Sequence, residues 1–91
     1  MPDNQTKSED QIQLQFLRLP SVKQRTSKSR TKIYDEIKRG LFVRPVKMGF
    51  IYAWPSHEVE KINWAYLAGK TESEIRVLIE ELHRARTAAS Q

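Results

Sequence analysis

The residues with the most chemistry to offer lie in one run, Lys28-Ser29-Arg30-Thr31-Lys32-Ile33-Tyr34, followed shortly by Lys38 and Arg39. Ser29 is a natural helix N-cap, because its hydroxyl can accept from N–H groups two or three residues on. On the helix it opens, Ile33 and Ile37 face one way, while Arg30, Tyr34 and Lys38 form another stripe with Thr31 beside it. A guanidinium near a helix start can reach a guanine edge bidentately, a threonine can meet a base edge or methyl group, and a tyrosine can pack on sugar or donate to phosphate. Arg30, Thr31 and Tyr34 are therefore base-reading candidates. Lys28, Ser29, Lys32, Lys38 and Arg39 are candidates for phosphate contacts, with Arg44 and Lys47 further along suited to the flanking backbone. Tyr34 has a second reading, as a partly buried ring.

Nothing in the sequence supports catalysis: there is no glycine-rich phosphate loop, no metal-ligand cluster and no nucleophile paired with a base. The chain has no cysteine, and His57 and His83 are far apart, with His57 reading as an exposed polar residue. It reads as a non-enzyme that needs no cofactor.

Stepping outward from that run, residues 20–25 form a short helix with Pro20 in its first turn, where the missing N–H costs nothing. Turn-forming residues 26–29 separate it from the second helix, which Gly40 stops. Residues 13–19 alternate roughly and suggest a short strand. Beyond the second helix, β-branched and aromatic residues flank Gly49 and predict a hairpin with arms 46–48 and 51–54. Ser56 reads as the N-cap of a third helix ending near Gly69, with Val59, Ile62, Ala65 and Tyr66 at helical spacing. Trp54 and Trp64 are both expected in the core. Thr71 and Glu74 make a capping box for a fourth helix, whose Ile75, Leu78, Ile79 and Leu82 form one stripe, either core or a dimer face, opposite exposed Glu80, Glu81 and Arg84. Residues 87–91 are expected to fray.

With 91 residues, 38% apolar and 30% charged, the chain suits one small soluble domain. Residues 1–13 read as a disordered polar tail and 14–87 as the domain with its helical extension. Charge is uneven: residues 17–50 hold ten Lys or Arg against only Asp35 and Glu36, while the two flanking segments are weakly acidic. A basic block of this kind is the footprint of a polyanion binder, although a merely solvated surface has similar composition. No stretch approaches the roughly 18 apolar residues of a membrane span, and the opening lacks a secretory h-region. The expected location is cytoplasmic, with nucleoid association.

As a composite, Phe16-Leu17-Arg18-Leu19-Pro20-x-Val22, Ser29-Arg30-Thr31-Lys32-Ile33-Tyr34, Gly40-x-Phe42-x-Arg44-Pro45-Val46-Lys47-x-Gly49 and Trp54-Pro55-Ser56-His57-Glu58-Val59 resembles the AlpA family of prophage regulators. The resemblance covers residues 16–64, and residues 68–76 look like an extension found in one subgroup. It implies a mainly α winged helix-turn-helix with a small β-hairpin wing and two C-terminal helices, related to MerR-like and excisionase domains. Ser27 and Val43 stand where the family usually has Gly and Pro, and Phe50-Ile51 occupy a wing tip that often carries a basic residue. The function implied is sequence-specific binding of double-stranded DNA in transcriptional control of a prophage or genomic island. An excisionase-like role in bending attachment-site DNA is the alternative, and a protein-interaction adaptor using the amphipathic fourth helix is a second one. Partners beyond DNA would be a second copy held through the 71–87 helix, an integrase or RNA polymerase.

Overall fold

The computed structural model describes residues 14–89, so the polar tail expected over 1–13 lies outside the described residues. Within them the chain runs β1 (Phe16–Leu17), α1 (Leu19–Thr26), α2 (Arg30–Lys38), β2 (Val46–Met48), β3 (Ile51–Pro55), α3 (Ser56–Leu67) and α4 (Glu72–Ala89). This is a mainly α winged helix-turn-helix: α1 and α2 with the turn between them, then β2 and β3 as the wing, then two C-terminal helices. The three strands form an antiparallel sheet in the order β1-β3-β2, with Phe16 opposite Pro55 and Lys47 opposite Tyr52.

The strand expected over 13–19 is confined to Phe16–Leu17, because β1 pairs only with the last two residues of β3 and the helix has begun by Leu19. Ser27–Ser29 make the turn. Ser27 adopts left-handed backbone, with φ of 60°, and its N–H donates to the Lys23 carbonyl at 2.9 Å. That conformation costs an L-residue about 1–2 kcal/mol and a glycine almost nothing. Ser27→Gly is therefore expected to raise stability by about 1 kcal/mol, part of the gain being lost to the freer unfolded chain. An upward shift of the urea midpoint at constant m-value checks it.

Ser29 caps α2 as its position suggested, accepting from the Lys32 N–H at 3.1 Å. The capping box of α4 is also formed: the Thr71 N–H donates to the Glu74 carboxylate at 2.8 Å and the Glu74 N–H to the Thr71 hydroxyl at 3.2 Å. Ser56 is not a cap. Strand β3 runs directly into α3 through Pro55, and the Ser56 N–H is taken by the Gln15 carbonyl at 2.8 Å. At the wing tip Gly49 supplies the positive φ, 66°, that a two-residue hairpin turn needs.

One apolar core joins all parts. Leu17, Val22, Ile33, Trp54, Val59, Ile62, Ile75, Ile79 and Leu82 are buried together, with Leu78 packed against them in part. Ile75, Ile79 and Leu82 of the α4 stripe are therefore core, whereas Leu78 keeps part of its side chain at the surface. Trp64 departs from expectation, being 61% exposed. The buried arc of α3 runs through Val59, Ile62 and Ala65, and at 100° per residue Trp64 points away from it. Tyr66 is likewise exposed at the end of α3, and α4 stays helical through Ala89 where fraying was expected from 87.

Leu41, Phe42 and Val43, in the loop between α2 and the wing, are also fully in the core. A buried loop must find partners for its backbone. Trp54 supplies one, its indole N–H donating to the Val43 carbonyl at 3.0 Å. Helix α4 supplies three more. The Arg76 guanidinium donates to the Arg39 carbonyl at 3.0 Å, His83 Nε2 accepts the Arg44 N–H at 3.1 Å, and the Arg86 guanidinium donates to the Arg44 carbonyl at 2.7 Å.

Candidate nucleic-acid interface

Helix α2 presents Arg30, Thr31, Tyr34 and Lys38 to solvent, around a shallow depression that Asp35 and Ile37 complete. Its first turn holds no acidic side chain, so the positive end of the helix dipole is left open to an anion. The Tyr34 ring meets Trp54 edge-on, with centroids 6.3 Å apart, and the Arg30 guanidinium lies 5.3 Å from the Tyr34 centroid. The Tyr34 ring is thus partly buried, one edge resting on the core and the rest open to solvent. The Arg30 side chain thus leans on a ring that is itself backed by the core.

The structure divides the remaining basic residues by what they touch. Lys38 and Lys47 are exposed and form no ion pair among the described residues. Lys32 is half exposed and pairs with Glu36 at 3.2 Å. Arg39 is held between Asp35 at 3.5 Å and Glu72 at 3.7 Å, both exposed pairs that cost little to break. Lys28 is committed elsewhere: its ammonium sits 2.6 Å from the buried Glu36 carboxylate and lies over the Phe42 and Tyr66 rings at 5.3 and 4.5 Å. It ties the turn to α2 and drops out of the phosphate set. Arg18, Lys23 and Arg25, which were not among the candidate contacts, add exposed cations on and before α1 that form no ion pair among the described residues. Their signal was the charge count of the segment.

Arg44 brackets His83, with its N–H on Nε2 and its guanidinium 3.2 Å from Nδ1. Partial burial first, then the Arg44 and Arg86 charges, hold the His83 pKa below its usual value, with Glu58 opposing. The folded state thus favours the neutral ring, and its contribution to stability is complete above about pH 6.5 and lost as pH falls below it. Lowering pH from 7 to 5 is expected to depress the melting temperature, and His83→Gln should flatten that slope; an unchanged slope would dismiss the histidine as its source.

The model of the prophage CP4-57 regulatory protein (AlpA) family matches residues 15–65, more than half of the chain. The chain belongs to the AlpA family. No curated protein and no solved structure matches it. The AlpA match runs from β1 through most of α3 and stops short of α4, so the helix that braces the wing loop lies outside it. Among the described residues no helix is long and apolar enough to cross a membrane, and no group of three or more His, Cys, Asp or Glu could hold a metal ion.

Proposed function

We propose that this AlpA-family protein is a transcriptional regulator of a prophage or genomic island that binds duplex DNA sequence-specifically, with α2 in the major groove. The observation that supports this best is the exposed stripe of α2, in which Arg30 is steadied by Tyr34 and Tyr34 by the core. Arg30 and Thr31, with Tyr34 beside them, are the base-reading set. Ser29, Lys32, Lys38, Arg39, Arg44 and Lys47 are the phosphate set, of which Lys38 and Lys47 need break no ion pair to serve. In this reading the protein works in the cytoplasm, on the nucleoid, alongside RNA polymerase.

A second reading, an excisionase-like factor that bends attachment-site DNA for an integrase, is favoured by Phe50. This ring is fully exposed at the wing tip, and the whole wing, β2 to β3, carries no acidic residue. Apolar side chains of this kind can wedge between base steps and kink the duplex.

Selection from random duplexes at roughly 50 and 200 mM salt tests both readings. An enriched motif that Arg30→Ala relaxes, at a cost of about 1–3 kcal/mol at one position, supports the regulator. Salt-labile binding without a motif, together with bending that Phe50→Ala abolishes, supports the architectural factor. Absence of binding at either salt would remove both.

A further inference from the structure

We infer that a second copy of this chain docks in the groove between α3 and α4, about 460 Å³ in volume, with Trp64 as its anchor. The floor is apolar: Trp64, Ala65 and Ala68 from α3, Val77 and Leu78 from α4. Trp64 is 61% and Val77 53% exposed, and neither is needed by the core. A large aromatic in an apolar depression ringed by charge has the form of an interface centre, where such anchors carry most of the binding energy.

The charges select the occupant and its orientation. The rim carries two lysines, Lys61 and Lys70, and two glutamates, Glu74 and Glu81, none in an ion pair among the described residues. A four-residue connection makes α3 and α4 an antiparallel hairpin, so Lys61 lies across from Glu81 at one end of the groove and Lys70 across from Glu74 at the turn end. A face-to-face dimer needs a two-fold axis in the plane of the interface. If the axis runs across the groove, Lys61 faces the other copy's Lys70, and Glu74 faces Glu81. If it runs along the groove, α3 of one copy lies over α4 of the other, and every lysine meets a glutamate: Lys61 with Glu81, Lys70 with Glu74. Trp64 then lands on Val77 and Leu78. The rim is self-complementary in that arrangement alone, which is what a homodimer requires. The inference does not depend on DNA binding, because every residue it uses is outside the α2 and wing surface.

Sedimentation velocity of the full chain from roughly 1 to 100 μM checks it. A monomer–dimer equilibrium is expected, weakened at least about tenfold by Trp64→Ala, whose exposed ring can be removed without opening the core. Lys61→Glu and Glu81→Lys should each weaken the dimer, and the two together should restore it. A monomer throughout the range overturns the inference, as does a dimer indifferent to Trp64→Ala. Tighter association of Lys61→Glu alone overturns the along-groove geometry, since only the across-groove arrangement gains from that change.

Discussion

Arg86→Ala is expected to destabilise the protein by about 3 kcal/mol or more, enough to lower its melting temperature by roughly 15 °C for a chain of this size. The Arg86 guanidinium grips the Glu58 carboxylate with two bonds, at 2.6 and 3.0 Å, and gives a third to the Arg44 carbonyl at 2.7 Å. The Glu58 side chain is only 2% exposed. Truncating Arg86 strands a buried carboxylate and leaves a loop carbonyl without its donor, and both penalties have the same sign. The charge itself is not what stabilises the fold. Replacing both partners with leucine should recover much of the loss, because a buried ion pair rarely outperforms apolar packing of similar volume. Arg86→Lys should recover little, since a single ammonium cannot span the carboxylate and the carbonyl together. Thermal melts of the four proteins decide it; a melting temperature for Arg86→Ala within a few degrees of the parent would show that Glu58 finds water when its partner leaves.

The position of that ion pair bears on function. Arg76, His83 and Arg86 all reach from α4 to the backbone that joins α2 to the wing. Their spacing, seven then three, puts them on nearly one face of the helix, so α4 holds the loop along its length. On the proposed reading this sets the angle between the recognition helix and the wing. Helix α4 also supplies half of the groove assigned to the second copy, through Val77, Leu78, Glu74 and Glu81. One helix beyond the family match thus touches both the proposed DNA-facing geometry and the proposed dimer.

What could be read in the sequence was local. The Ser29 cap, the Thr71–Glu74 box and the Gly49 turn involve residues three or fewer apart, and each formed where its pattern placed it. The α4 stripe was recognisable as apolar, but periodicity alone left core and interface equivalent; the packing of Ile75, Ile79 and Leu82 into the common core separated them. Trp64 was misplaced because a tryptophan among apolar residues looks buried until the helix phase is fixed by Val59, Ile62 and Ala65. The buried loop at Leu41–Val43 was beyond reach for another reason: Arg76, His83 and Arg86, which bond the flanking Arg39 and Arg44 backbone, are 37 to 42 residues away, and three cationic or titratable side chains on an amphipathic helix look like solvated surface. Glu36 was hidden by its setting. In a segment with ten cations, one of two carboxylates attracts no notice, yet it is the one the fold buries.

Glu36→Ala is expected to move stability and DNA affinity in opposite directions. Its carboxylate is 5% exposed and holds Lys28 at 2.6 Å and Lys32 at 3.2 Å. Of these, Lys32 is exposed and its i,i+4 pair contributes only about 0.3–0.5 kcal/mol. Lys28 is 13% exposed and lies against Phe42 and Tyr66, so loss of Glu36 strands its ammonium in a poorly hydrated site. The cost should be about 3 kcal/mol, and Lys28→Met in the same chain should return a large part of it. On the reading that α2 meets duplex DNA, the same change removes a negative charge from the recognition helix and frees Lys32 for a phosphate. The plot of log affinity against log salt should then steepen by about one unit, with tighter binding at low salt. Simple unfolding cannot produce that pairing, because a less stable fold loses affinity at every salt concentration. Affinity that falls in parallel with stability would place Glu36 away from the DNA and confine its role to pinning the turn.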